Sequence, residues 1–244
     1  MSPRQHVLCP PIPLSSVLSI ADYSWNRREG GGEARTPSTP YMAYLQGKNN
    51  HSCGGFLVAP NWVMTAAHHK PLTVILGAHT VQMKEESWQK FEVEEYHCHP
   101  YFTSPKEGND ILLLKVTTCL EQKGTAFITA NVQAKTISFE KSKVRGGTVC
   151  SVVGYKTPTG RLREATVTII KQRDCLSHYP GLAENLICGR SRSAEVPEKG
   201  DAGDPLVCNN KAYGIFSYRH NNWPGFYTHI AHYLSWVNSV MKSA

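Results

Sequence analysis

The residue types that could carry out chemistry in this chain are concentrated in three short segments. The segment with the most unusual composition is Gly200-Asp201-Ala202-Gly203-Asp204-Pro205, in which small residues surround two aspartates. The other two are Thr65-Ala66-Ala67-His68 and Asn109-Asp110-Ile111. Imidazole and carboxylate groups transfer protons and orient one another in many enzymes. The glycine-rich segment, by contrast, contains no hydroxyl or thiol that could act as a nucleophile.

Composition limits the class of protein that contains these segments. The chain has 244 residues, 41% of them hydrophobic, which is enough for one large domain or two small ones with a real core. No apolar run is long enough to cross a membrane as a helix, so no membrane span is predicted. The net charge of +7 favours an acidic partner, such as a glycosaminoglycan, a nucleic acid or an anionic surface. An ordinary solvated, lysine-rich surface explains the charge equally well.

The eight cysteines favour disulfides and an oxidising compartment. No C-x-x-C pair occurs, which argues against a zinc ribbon or a thioredoxin motif. The run His97-Cys98-His99 contains metal-ligand types, but alternate residues of a strand face opposite ways, so Cys98 would point away from both histidines. We therefore predict neither a metal nor a cofactor.

The elements that must position the three segments are predicted to be mainly strands. The apolar run after Asp110 is typical of a buried strand, and Phe91 and Val93 alternate with glutamates as in a half-exposed one. A helical face appears only near the C-terminus, at Tyr233, Trp236, Val237, Val240 and Met241. This spacing predicts a C-terminal helix that packs on the domain.

Taken in order, these segments resemble the trypsin/chymotrypsin-like serine proteases. Residues 200–208 resemble the family's Gly-Asp-Ser-Gly-Gly-Pro-Leu-Val-Cys signature, 62–68 its Thr-Ala-Ala-His motif and 109–116 its Asp-Ile-x-Leu-Leu strand. Further matches lie at 52–58, 147–155, 162–165, 213–218 and 225–228. The resemblance covers about 30–244 and implies an all-β fold of two six-stranded antiparallel Greek-key β-barrels with a C-terminal α-helix.

Granzymes and mast-cell proteases are the most similar subgroup. The segment Pro40-Tyr41-Met42-Ala43, the pair Ser217-Tyr218 and the absence of cysteines beside the pocket carry this resemblance. It implies a protein that is secreted or stored in granules. Residues 1–28 form a poor signal peptide, a disordered leader or an atypical first exon, and the protease-like domain is predicted to span 29–244.

The resemblance implies a role for each chemical residue. His68 takes the general-base position, Asp110 is the carboxylate that orients it, and Ala202 stands where the family has its nucleophilic serine. The oxyanion hole would be formed by the backbone N–H groups of Gly200 and Ala202. We therefore predict an inactive serine protease homologue. The alternatives are an active secreted endopeptidase whose sequence here carries a substitution or a wrongly assigned exon, and a decaying gene whose product barely folds.

Other departures from the family pattern agree with inactivity. Val196, at the expected floor of the primary pocket, offers no charge that would select lysine or arginine. Arg219 stands where the family has a glycine, and in the family the substrate backbone lies along that glycine. The remaining pocket positions are Ser217, Tyr218 and Gly225. In the family a freed isoleucine amine pairs with the aspartate before the nucleophile, but Arg28-Glu29 stand where the two isoleucines are expected. We therefore expect Asp201 to pair with His51 in a zymogen-like, collapsed site.

The resemblance also implies two disulfides and a class of ligand. The disulfides are Cys150–Cys208 and Cys175–Cys188, which leaves Cys9, Cys53, Cys98 and Cys119 without family partners. The protein is expected to be a monomer that binds a peptide or protein ligand, if any, or a heparin-like polyanion. Basic clusters that would bind a polyanion are Lys141, Lys143 and Arg145, Arg161 with Arg163, Lys171 with Arg173, and Arg190 with Arg192. Scattered solvated loops are an equally good explanation of these clusters.

Overall fold

The computed structural model describes residues 39–48, 51–118, 134–156, 159–191, 199–219 and 224–243. Within these ranges the first six strands are β1 (Met42–Gln46), β2 (Ser52–Ala59), β3 (Trp62–Thr65), β4 (Thr73–Leu76), β5 (Gln89–Cys98) and β6 (Leu112–Thr118). The next six are β7 (Val149–Lys156), β8 (Arg161–Ile169), β9 (Leu186–Ser191), β10 (Pro205–Cys208), β11 (Lys211–Arg219) and β12 (Gly225–His229). The α-helices are α1 (Gln172–His178) and α2 (Leu234–Ser243), and short 3-10 helices span Pro105–Glu107, Lys199–Asp201 and Ile230–Tyr233.

The twelve strands form two closed barrels of six. The first has the order β1-β2-β3-β6-β5-β4 and the second the order β10-β11-β12-β9-β8-β7. Every pairing between neighbours is antiparallel. Closure leaves neither sheet with a free edge. The predicted architecture of two six-stranded antiparallel barrels is confirmed.

Each barrel encloses an apolar core, because alternate residues of its strands point inward. The first core includes the buried side chains of Leu45, Val63, Leu76, Leu112 and Leu114. The second includes Val152, Val167, Ile187, Leu206 and Tyr227. Burial of a large apolar side chain stabilises the fold by about 1.5–3 kcal/mol, so each of these clusters contributes substantially to the stability of the domain.

A third apolar cluster joins the barrels to the C-terminal helix. Phe56 and Leu113 from the first barrel and Ile215 from the second pack with Tyr233 and Val237. The predicted C-terminal helix is thus confirmed as α2, and its apolar face covers the seam between the barrels. No helix among the described residues is long and apolar enough to span a membrane.

Both predicted disulfides are present. Cys150–Cys208 links β7 to β10, and Cys175–Cys188 links α1 to β9. Cys98, which has no family partner, is also disulfide-bonded, and its partner lies outside the described residues. Cys53, by contrast, is a buried free thiol, as the missing family partner predicted. The predicted leader, 1–28, also lies outside the described residues.

Candidate active site

The pairing of β3 with β6 brings His68 and Asp110 together. Thr65, the last residue of β3, is paired with Leu112, the first of β6, so the segments beyond these ends lie side by side. Nδ1 of His68 is 2.7 Å from Oδ2 of Asp110, and the backbone N–H of His68 donates to Oδ1 at 3.1 Å. Two bonds to one carboxylate fix both the position and the ring orientation of the histidine.

The environment of Asp110 keeps it ionised. Its side chain is fully buried, and the hydroxyl of Ser217 donates a second hydrogen bond to Oδ2. Burial raises the pKa of Asp110, but the contacts with His68 and Ser217 outweigh burial, and the pKa lies below its usual value. An ionised carboxylate at Nδ1 favours the tautomer with its proton there, which leaves Nε2 of His68 able to accept a proton.

Two hydroxyl groups donate hydrogen bonds to Asp110 that the sequence did not predict. Ser217 was predicted as a pocket residue, yet its buried hydroxyl bonds to the Asp110 carboxylate. The hydroxyl of Thr228, on β12, donates to the backbone oxygen of Asp110 at 3.0 Å. Both come from the second barrel, so the histidine–aspartate pair sits at the junction of the two barrels.

Ala202 lies in a tight turn between the two barrels. Its side chain is buried, and its backbone oxygen accepts a bond of 3.1 Å from the N–H of Gly54 in β2. The next residue, Gly203, has a φ of 95° and donates to the oxygen of Phe216 in β11 at 2.8 Å. A Cβ at Gly203 would lie 2.2 Å from the oxygen of Gly54, so only glycine fits there. The methyl group of Ala202 has no lone pair with which to attack a carbonyl.

Asp204 is wedged between two glycines, one from each barrel. A Cβ on Gly54 would lie 1.6 Å from its Oδ1, and one on Gly154 would lie 1.8 Å from its Oδ2. The side chain is fully buried, and neither oxygen has a hydrogen-bond partner within the described part of the chain. Burial, together with the nearby charge of Asp201, raises the pKa of Asp204 well above its usual value, although Lys156 opposes the shift. Burial therefore favours the neutral form of this carboxyl group.

The structure corrects the predicted partner of Asp201. Nζ of Lys156, the last residue of β7, is 2.7 Å from Oδ2 of Asp201. His51 is exposed and its backbone oxygen accepts a bond from Gly47, but its side chain does not pair with Asp201. Tyr155-Lys156 stands where the family has Trp-Gly. The lysine in place of glycine was the feature of the sequence that could have indicated this ion pair.

The matches to known proteins agree with this geometry. A family model described as Trypsin matches residues 28–237. The chain belongs to the trypsin-like serine protease family. It is 36% identical to granzyme E of Mus musculus over 231 residues, which covers 87% of this chain and 90% of the relative. It is also 36% identical to the chymase of Canis lupus familiaris over 250 residues, with 96% and 98% covered. A solved structure described as "Structure of GrC" superposes with a TM-score of 0.77 at 31% identity, covering 87% of this chain and 99% of that one.

The predicted pocket residues of this serine protease homologue lie on two paired strands. Ser217, Tyr218 and Arg219 end β11, and Gly225, which begins β12, is paired with Arg219. The ring of Tyr218 stacks on Phe226 with 4.8 Å between centroids, and burial, with a contribution from Tyr179, raises its pKa to about 12. Val196 lies outside the described residues, and the oxyanion hole of Gly200 and Ala202 stays a prediction.

The predicted basic clusters differ in their surroundings. Arg173 makes an exposed ion pair with Asp174 at 3.3 Å, which is a weak interaction in water. Lys171 and Arg190, from two different clusters, line one cavity of about 420 Å³, together with His178. Arg192 lies outside the described residues. Two of the predicted clusters therefore contribute a cation to the same concave site.

Proposed function

We propose that this chain is a granzyme- or chymase-like serine protease homologue that does not cleave peptides and acts as a binding protein. The single observation that carries the proposal is Ala202 at the nucleophile position, beside an otherwise complete histidine–aspartate pair. Loss of the nucleophile lowers turnover about a millionfold in this class of enzyme, because the remaining groups only orient water and polarise a carbonyl. The disulfides support a secreted or granule protein.

The ligand that best fits this scaffold is an extended peptide or a protein segment. Phe216 of β11 bonds through its backbone to Gly203 and Asp204 in the Ala202 turn, and the next residues, Ser217 to Arg219, correspond to the family's substrate strand. Arg219 replaces a glycine at this strand and places a cationic side chain where peptide backbone would lie. We therefore expect the ligand to be acidic near this position.

Covalent labelling with a fluorophosphonate tests the loss of activity directly, because labelling requires an activated hydroxyl. The natural protein is expected to remain unlabelled. The variant Ala202→Ser, with Ile-Ile also introduced in place of Arg28-Glu29 and freed by processing, is expected to label, and a further change, His68→Ala, should abolish that labelling. Labelling of the natural protein would refute the proposal and favour the active endopeptidase. A purified protein that melts without cooperativity would instead favour the decaying gene.

A polyanion is a second candidate ligand, supported by the cavity that Lys171 and Arg190 share. Its lining also includes the apolar side chains of Ile169 and Ile170 and the carboxylate of Asp174, which pairs with Arg173, so the cavity suits an anionic group attached to an apolar or sugar ring. The salt concentration that elutes the protein from heparin measures this binding. Lys171→Glu should lower the salt concentration needed for elution. Lys211→Glu, at a lysine that pairs with Glu140 outside the cavity, should lower that concentration less. Equal effects would indicate only a general attraction to positive charge.

A further inference from the structure

The turn that carries Ala202 is tied to the second barrel by an ion pair inside the protein. Nζ of Lys156 and Oδ2 of Asp201 are 2.7 Å apart, and the two side chains are 20% and 5% exposed. Such a pair is largely shielded from water, so its attraction is stronger than that of a surface pair. A carboxylate buried this deeply without a cation would strongly destabilise the surrounding structure.

Lys156 is held in place by its own backbone. It ends β7, where it is paired with Arg161 across the hairpin to β8, and its oxygen accepts a bond of 2.7 Å from the N–H of Gly160. The preceding residue, Tyr155, donates its buried hydroxyl to the oxygen of Ala78 in the first barrel at 2.9 Å. The ammonium group therefore extends from a fixed point, which reduces the entropy lost when the ion pair forms.

Among the described residues the turn also makes backbone bonds to both barrels, one of them from the N–H of Phe216 to the oxygen of Asp204 at 2.8 Å. The oxygen of Ala202 accepts from Gly54 in the first barrel, and Gly203 donates to Phe216 in the second. Within the turn, the N–H of Asp204 donates to the oxygen of Asp201 at 3.0 Å. Lys156 supplies the side-chain attachment, at the residue immediately before Ala202. Without it, the end of the turn at Asp201 would lose its bond to β7.

We propose that Lys156 is a positioning residue, an internal cation that forms the Ala202 turn before any processing of the N-terminus. A lysine ammonium has the same charge as the freed amine that the family pattern implies for this aspartate, and it reaches Asp201 from within the folded domain. The biological purpose of this arrangement rests on the proposed function, because a binding protein whose turn is already formed needs no activating cleavage. Its geometry stands independently of that function.

Hydrogen exchange of the natural, unprocessed chain tests this positioning role. Lys156→Met should increase the exchange rate of backbone amides in residues 199–208 about tenfold or more, because the turn would open more often. Lys156→Arg should keep the protection, since it keeps the charge. The matched control is Lys115→Met, because Lys115 is similarly exposed and pairs with Glu95 at 3.1 Å in the first barrel. It should leave the exchange of residues 199–208 unchanged.

Two results would overturn the inference. One is unchanged exchange of residues 199–208 in Lys156→Met, and the other is an equal increase in all peptides, which would indicate general destabilisation rather than positioning. If Lys156→Met does not fold, Lys156→Gln replaces it in the same comparison. Fluorophosphonate labelling separates this inference from the proposed function. Labelling of the natural protein would refute the proposed function and leave the exchange result to decide the role of Lys156.

Discussion

The buried carboxyl group of Asp204 leads to a prediction with a defined sign and slope. Its folded-state pKa is raised above that of the unfolded chain, so the folded state binds the additional proton. The stability linked to this proton is present at acidic pH and is lost as pH rises through the folded-state pKa. Asp204→Asn, which has nearly the same shape and does not titrate, should remove this loss.

The magnitude follows from linkage. Between the unfolded-state pKa and the folded-state pKa, the advantage of Asp204→Asn over the natural protein should grow by about 1.4 kcal/mol per pH unit. Two pH units within this window correspond to about 3 kcal/mol. Because the unfolding free energy of a domain is about 5–15 kcal/mol, this change is readily measured.

Urea unfolding of both proteins at several pH values from 5 to about 8 measures this difference. The matched control is Asp174→Asn, at an exposed carboxylate on α1, for which a difference within about 0.5 kcal/mol at every pH is expected. A difference between Asp204→Asn and the natural protein that does not change with pH would refute the reasoning. It would mean that the Asp204 carboxylate is ionised or hydrated in the folded protein.

Three further predictions concern buried polar groups. Ser217→Ala removes a bond to the Asp110 carboxylate and should lower the unfolding free energy by about 1–3 kcal/mol in urea titrations, whereas an effect near zero would show that this bond is not made. Burial, with the charges of His232 and Lys143, lowers the pKa of His229 to about 4. The stability that neutral His229 contributes to the folded state should therefore be lost as pH falls from about 6.5 to about 4. The unfolding free energy of His229→Gln should therefore fall by about 3 kcal/mol less than that of the natural protein over that range. Equal decreases would contradict the lowered pKa of His229. Burial raises the pKa of the Cys53 thiol to about 12, so iodoacetamide should modify Cys53 only after unfolding, and rapid native modification would argue against its burial.

The family resemblance carried by the ordered sequence segments implied the two barrels and the meeting of His68 with Asp110. The strands repeat short apolar runs, and the positions before β6 and after β3 belong to neighbouring strands. Such local patterns survive in a sequence because each one must agree with the same fold. The C-terminal helix was predictable for the same reason, since its apolar face repeats with helical spacing.

Contacts between side chains distant in sequence were not predictable where the family pattern does not specify them. Lys156 meets Asp201 only because the end of β7 lies beside the turn before β10, and no local pattern encodes that approach. The same holds for Ser217, whose hydroxyl was assigned to a pocket but bonds to Asp110. The charge of Lys156 at a position where the family has glycine was a usable signal. The residue that Lys156 contacts could not be predicted, because the family pattern indicated His51 as the partner of Asp201.

The substitutions in the Ala202 turn have opposite energetic consequences, which argues against simple decay. Alanine at a buried position removes a hydroxyl that would need a partner, so losing the nucleophile costs little stability and can increase it. Asp204, in the same turn, introduces a carboxyl group with no partner and must reduce stability. Lys156 then reduces the electrostatic cost, because its charge pairs with Asp201 and opposes the pKa shift of Asp204. A turn that had merely lost its function would accumulate unpaired changes, whereas this turn combines a costly group with a nearby cation that offsets part of the cost.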